Sequence, residues 1–283
     1  MTDFDNIEHA LRSREFFENA KKLELSEQAI DERIRNSLGE ASYILKHLPI
    51  ESMAGQKVLE VGAGLGIASA YLERRGVRVE ALEPVDRGFQ VNRPLLQLVR
   101  QTLRAQFVIH NCRVEDLPRE KHGFYDWIFS HNVLEHMADI EKSMRTMRQL
   151  LKSQGRMIHS CPNYRVPYEP HYGVWLFPFF PWVTRCLSGK IRKNESEWRT
   201  LNFVTAGKIA WLASRIHCSV YFKKELMYEA LNRFESDSVF AARQKGWPYL
   251  FYRWLKSLSL LGWVRVFPAR WATPMIFYLE PRP

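Results

Sequence analysis

The chain of 283 residues has little of what would place it outside the globular class. Its four cysteines, Cys112, Cys161, Cys186 and Cys218, form no C-x-x-C pair and no zinc-ligand spacing. That excludes a disulfide-stapled scaffold and predicts reduced thiols in a cytoplasmic setting. No charge-free apolar run reaches about 18 residues, so no transmembrane helix is expected. The N-terminal stretch MTDFDNIEHALRSREFF starts acidic and lacks an apolar h-region, which argues against a secretory signal and for a cytoplasmic protein. There is no internal repeat and no low-complexity tract. Hydrophobic residues at 46% and charged residues at 25% exclude disordered, collagen-like and coiled-coil classes.

Charge and aromatics are unevenly spread. Residues 1 to 160 carry 23 Lys and Arg against 23 Asp and Glu, whereas residues 161 to 283 carry 18 against 8, so the whole net charge of +10 lies in the second part. Eight of nine Trp lie there too. A balanced region is followed by a basic, aromatic-rich one.

Residues 5–48 are rich in Glu, Lys, Arg, Leu and Ile at helical spacing and predict two or three amphipathic helices. From residue 57 short apolar runs alternate with helical stretches. Strands are expected at 57–61, 78–82, 107–110, 127–130 and 156–160, with helices near 66–75, 88–104 and 136–152 between them. Such alternation implies a parallel sheet with helices on both faces. The proline- and aromatic-rich stretch 163–181 predicts a long packed loop. A helix near 205–217, a strand near 219–223, helices near 225–234 and 247–261, and a last strand at 275–279 complete the pattern. In 247–261, Trp247, Leu250, Phe251, Trp254, Leu255, Leu258 and Leu261 recur at helical spacing opposite Arg253 and Lys256.

The stretch VLEVGAGLGIASAYL, residues 58–72, runs from a strand through Gly62, Ala63, Gly64, Leu65 and Gly66 into a helix. Its glycines permit a tight turn and close approach of a ligand to the backbone. Glu83, at the end of the second strand, can accept two ribose hydroxyls. Glu60 would repel the pyrophosphate of a dinucleotide, whereas S-adenosylmethionine has no phosphate and carries an ammonium and a sulfonium that an acidic turn attracts.

With the further segments ALEP (81–84), CRVEDLP (112–118), YDWIFSHNVLEHM (125–137) and LLKSQGRMIHSCPN (150–163), the chain resembles the class I S-adenosylmethionine-dependent methyltransferases, particularly the ubiquinone-biosynthesis O-methyltransferase subgroup. The resemblance covers residues 58–163. It implies an α/β fold, a doubly wound, mostly parallel seven-stranded Rossmann-like sheet of order 3-2-1-4-5-7-6 with an antiparallel last strand. It implies a division into an N-terminal helical segment (1–50), a cofactor-binding core (51–163) and a substrate cap holding the remaining strands (164–283).

The resemblance further implies that Glu60, Gly62, Ala63, Gly64 and Gly66 cradle the methionine part of the cofactor, and that Glu83, with Pro84 beside it, holds the ribose. Arg113, Val114 and Glu115 would border the adenine; many relatives have Asp where Arg113 stands. Ser130, His131 and Asn132 would lie beside the methyl group. Relatives place an acidic residue where Asn132 stands and use the neighbouring acidic–histidine cluster around a divalent ion. With Asn132 there, Glu135 and His136 are expected as a helix N-terminal packing pair, and no metal is expected.

His171, in PYEPHYG, is the candidate general base, having a pKa suited to taking a hydroxyl proton at neutral pH. His131 competes for that role, and positioning alone can also suffice for methyl transfer. Cys161-Pro162 offers a covalent nucleophile of the cytosine-methyltransferase kind, with no second motif behind it. SHNV at 130–133 does not match the tetrad of base-amino methyltransferases. The expected reaction is O-methylation of a small amphipathic, lipid- or glycan-linked acceptor. An RNA methyltransferase and a non-catalytic binding protein are the alternatives. The basic aromatic part reads either as a packed insertion or as a peripheral membrane surface, with RNA binding ranked third because its charges are interleaved with apolar clusters.

Overall fold

The computed structural model describes residues 3–84, 92–177, 180–193, 195–236, 241 and 246–282, without the side chains of Arg119 and Trp247. Nine strands occur among them: β1 (Lys57–Val61), β2 (Arg78–Leu82), β3 (Val108–His110), β4 (Tyr125–His131), β5 (Leu151–Cys161), β6 (Tyr168–Glu169), β7 (Val174–Trp175), β8 (Cys218–Phe222) and β9 (Met275–Pro281). Seven form one sheet in the hydrogen-bonded order β3-β2-β1-β4-β5-β9-β8, the order expected. β1 pairs in parallel with β2 and β4, and β2 with β3, whereas β8 and β9 are antiparallel. The fold is thus the Rossmann-like methyltransferase sheet. The chain divides into two compact units, Met1–His131 with Glu141–Ile158, and Asn132–Ile140 with His159–Pro283.

In the first unit the parallel strands are near-continuous apolar runs because both faces are covered: Val58, Leu59, Ala81, Ile128 and Phe129 are buried. Three N-terminal helices, Asp3–Leu11, Arg14–Lys21 and Glu27–Leu45, form as the helical spacing predicts, the last two capped by Ser13 and Ser26. Ile30, Ile34, Leu38 and Ala41 make the buried stripe of the third. The expected helix at 88–104 is Asn92–Thr102, and 88–91 lie outside the described residues. Gly155, in the segment resembling the family's signature, allows a close approach: a Cβ there would lie 2.7 Å from Leu151 Cγ and 3.0 Å from the Asp126 carbonyl.

In the second unit two expectations change. The loop after β5 contains a small hairpin, β6 paired antiparallel with β7. The last long helix ends at Ser257, before a 3-10 helix Leu261–Val266. Asn163, fully buried, explains the Pro-Asn that ends the family-like segment. Its amide donates to the Arg270 and Ala272 carbonyls at 3.0 Å, and its oxygen accepts the Arg165 and Ala206 N–H groups at 3.2 Å. The four cysteines form no disulfide. Among the described residues no helix is long and apolar enough to cross a membrane.

Candidate active site

The first unit builds an acidic glycine turn. Gly62, Gly64 and Gly66 take φ values of 74°, 55° and 70°, so the chain reverses between β1 and the helix Ile67–Arg74. At Gly66 a side chain has no room: a Cβ would run into Leu96 and lie 2.9 Å from Phe107 Cζ. Ala63 is buried, its N–H held by the Leu82 carbonyl at 2.9 Å.

Two buried carboxylates face this turn. Glu60 accepts the Ser69 hydroxyl, and burial, opposed by that bond and reinforced by the Glu83 charge, raises its pKa to about 8. Glu83 accepts the Gly64 N–H at 2.8 Å on one oxygen and the Asn92 amide at 3.1 Å on the other. Pro84 follows it. The Glu83 charge attracts a cationic ligand and repels a phosphate, and a bound cation would favour ionisation of Glu60 beside it.

Beyond β3, Arg113 is the N-cap of the 3-10 turn Val114–Asp116, with Val114 buried and the Glu115 carboxylate accepting the Ser143 hydroxyl. Ser130 is fully buried near the end of β4. The His131 ring lies 5.3 Å from that of Tyr43.

The second unit builds a different kind of site. Asn132 has φ 53°, a left-handed conformation that Asn tolerates well, and its N–H donates to the Ser160 carbonyl at 2.8 Å. Leu134–His136 is a 3-10 turn, not the first turn of the helix, which begins at Ile140. Asn202 fixes that turn, giving its backbone N–H to the Glu135 carbonyl at 2.8 Å and its amide to the Leu134 and Met137 carbonyls at 2.7 and 3.0 Å.

The β6–β7 hairpin brings His171 to Glu135 and His136, the residues expected as a packing pair. His171 Nε2 lies 3.9 Å from Glu135 Oε1, and its Nδ1 lies 2.6 Å from Glu169 Oε1. Glu169 is fully buried and also accepts the Tyr172 N–H at 2.8 Å and the Tyr164 hydroxyl at 3.2 Å.

Burial alone would lower the His171 pKa, but the hydrogen bond and charge of Glu169, then the charges of Glu135 and Glu197, outweigh it and raise it to about 9. This corrects the expectation of an ordinary histidine: at neutral pH the ring is an imidazolium. Burial, with the His171 charge, lowers His136 to about 3, so that ring is neutral. Burial and the Glu135 charge push the Cys161 thiol well up, which disfavours a thiolate nucleophile there.

Glu135, His136 and His171 present ligand atoms all within 4.8 Å of one another. The sequence led to no expectation of a metal, yet two imidazoles and a carboxylate suit a divalent ion. Thr200 Oγ1, 2.6 Å from His136 Nδ1, and Glu169 on His171 Nδ1 orient the rings as outer partners of metal-binding histidines do. The donor set fits such an ion once the His171 ring has given up its Nε2 proton, since a metal-binding imidazole is neutral.

Sequence reasoning missed Ser69, Asn92, Glu169, Thr200 and Asn202. Only Glu169 carried a signal, a carboxylate two residues before the candidate base.

Residues 22–226 match the family described as a methyltransferase domain. An uncharacterised protein of Mycobacterium tuberculosis strain H37Rv is 31% identical over 210 residues, 72% of this chain and 70% of that protein. A ubiquinone biosynthesis O-methyltransferase of Xanthomonas oryzae pv. oryzae is 31% identical over 111 residues, 39% of this chain and 45% of the relative, so the match spans under half of that enzyme. Among solved structures, the geranyl diphosphate C-methyltransferase of Streptomyces coelicolor has a TM-score of 0.55 at 16% identity, covering 96% of this chain and 82% of that one. An S-adenosylmethionine-dependent methyltransferase of Mesorhizobium loti has a TM-score of 0.53 at 14% identity, over 84% of this chain and 94% of its own. At such identities the structures speak for the fold, while the domain match runs over most of the sequence. The chain belongs to the methyltransferase-domain family, as a class I S-adenosylmethionine-dependent methyltransferase.

Proposed function

We propose that the methyl group goes to a hydroxyl oxygen of a small amphipathic acceptor, lipid- or glycan-linked, and that the enzyme works in the cytoplasm at the inner face of the membrane. The observation that carries the hydroxyl as acceptor is the buried row Glu135, His171, Glu169. In methyl transfer an oxygen lone pair attacks the methyl carbon, the carbon–sulfur bond breaks, S-adenosylhomocysteine leaves, and the hydroxyl proton must be taken up. Glu135 and Glu169 stand on either side of the His171 ring, so the row offers acceptor atoms to which that proton can pass. His171 is thus a member of the proton-accepting group, with His131 as the second candidate for the role.

The relatives named for ubiquinone biosynthesis are O-methyltransferases by name, which supports oxygen as the acceptor atom. In this reading Glu60, Gly62, Ala63, Gly64 and Gly66 receive the methionine end of the cofactor, Glu83 with Pro84 the ribose, and Arg113, Val114 and Glu115 the adenine. Ser130, His131 and Asn132 lie by the methyl group, and residues 164–283 select the acceptor. A divalent ion held by Glu135, His136 and His171 would supply Lewis acidity that lowers the pKa of an acceptor hydroxyl.

The test is incubation of the purified protein with methyl-labelled S-adenosylmethionine and host-cell lipid, glycan and RNA fractions. Label is expected as a methyl ether in the lipid or glycan fraction. Label confined to RNA, or to nitrogen or carbon of the product, overturns the reading.

A further inference from the structure

The second unit leaves an unusual amount of large apolar side chain in water. Its helix Trp247–Ser257 has a small core of its own: Tyr252 and Leu255 pack with Leu231, and Met227, Phe234, Leu260, Leu261 and Val264 close around them. Tyr252 is also tied to Glu235 by its hydroxyl, and Lys256 reaches the same carboxylate at 2.6 Å. That face accounts for the fold of the segment.

Four other residues of the apolar pattern read from the sequence are not used for packing. Leu250, Phe251, Trp254 and Leu258 stand on one helical face, at spacings of three and four residues, and are 64%, 42%, 54% and 51% exposed. Phe251 and Trp254 stack on each other at 6.1 Å, outside the core. In the 3-10 helix that follows, Trp263 and Val266, eclipsed by their three-residue spacing, are 72% and 77% exposed, and Phe267 is exposed next to them. Exposed apolar side chains so concentrated mark an interaction surface.

We infer that this face is a docking surface for an anionic lipid bilayer. Charge selects the partner. From Gly246 to Leu279 the chain carries Arg253, Lys256, Arg265 and Arg270 and no Asp or Glu. A second copy meeting this face would bring like charges together, whereas an anionic leaflet is complementary to it. The residue types agree, since Trp, Phe and Leu on one face flanked by Arg and Lys is the composition of helices that lie in the membrane interface. The inference deepens the reading of the acceptor as lipid-linked and rests on it for its purpose, but its test needs no turnover, so either can fail while the other stands.

The full chain is floated with vesicles of phosphatidylcholine alone and of phosphatidylcholine with phosphatidylglycerol. Binding is expected to the anionic vesicles, weakened by salt because charges beyond about 8 Å are screened at physiological ionic strength. The double substitution Leu250→Ser, Trp254→Ser is expected to lower partition about tenfold or more through lost apolar insertion. Arg253→Glu is expected to lower it about fivefold or more. Arg253 is the better charge to reverse, because Lys256 is bound to Glu235 in the folded unit. Thermal melts are expected to be unchanged for both variants, whose side chains are exposed. Absence of binding to anionic vesicles, or binding that survives both variants, overturns the inference. Self-association abolished by the double variant, without vesicle binding, also overturns it and gives the face to a second copy.

Discussion

The two units place their most expensive groups in opposite ways. The first is nearly balanced, with 23 Lys and Arg against 21 Asp and Glu, and hides two acidic side chains, Glu60 and Glu83, beneath a glycine turn. The second carries most of the charge excess, 18 Lys and Arg against 10 Asp and Glu, and leaves Trp254, Trp263 and Leu250 in water. A buried charge is tolerable where a ligand of opposite sign is to come, and an exposed apolar face where a second surface is to come. Both are unfavourable in the isolated chain, and both point to a partner.

The sharpest way to break this contrast is at Gly66. Gly66→Ala forces a side chain into a left-handed backbone against Leu96 and Phe107, so a loss of about 2 to 5 kcal/mol in a urea melt is expected from strain and overpacking together. A near-normal melt would mean that the turn is far looser than its geometry.

Next in size is the proton-accepting role proposed for His171 in the second unit. His171→Ala is expected to lower the methyl-transfer rate by about 10² or more with S-adenosylhomocysteine affinity unchanged by calorimetry. An unchanged rate would return His171 to a structural role and leave positioning as the mechanism.

The acidic pair of the first unit is tested by ligand and by pH. Glu83→Gln is expected to weaken S-adenosylmethionine binding by about 1.5 to 3 kcal/mol, the worth of hydrogen bonds to a charged group. NAD, with its pyrophosphate, is expected not to bind. Glu60 has a folded pKa of about 8 against an ordinary 4.5. Through that window the native state holds a proton the unfolded chain has lost, so stability without ligand should fall as pH rises from 4.5 toward 8. A cationic ligand prefers the ionised form, so its binding should tighten over the same range and release protons. Titration calorimetry in buffers of different ionisation enthalpy checks this, and a Glu60→Gln variant should flatten the dependence.

The smallest effect is expected at Trp254. Trp254→Ala should change stability by no more than about 0.5 kcal/mol, as for other exposed positions. A loss of about 3 to 5 kcal/mol would instead mean that its face is packed.

Much of the fold was legible because strand and helix periodicities are local. β1 and β2 begin and end where the apolar runs do, and three N-terminal helices cover most of the stretch rich in helix formers, the first beginning two residues before it. β5 was read five residues short at its start, because Lys152, Ser153 and Gln154 carry no apolar signal. The small hairpin was missed because two-residue strands have no period to detect. In the basic helix the period was right and the face was not. Tyr252 was left off the apolar stripe, yet it is buried, while Trp254 is exposed, because what packs on a helix is set by Leu231 and Phe234 from elsewhere in the chain.

By itself the sequence determined the family resemblance, the acidic glycine turn and the charge division, since each is written in contiguous residues or in composition. Only the tertiary structure decided the chemistry around His171. Glu135, His136, Glu169, His171, Thr200 and Asn202 are spread over almost seventy residues, and their shared burial turns an ordinary imidazole into a held cation beside a neutral one. A pKa depends on what surrounds a group in space, through desolvation and neighbouring charge, and neither quantity exists until the chain has folded.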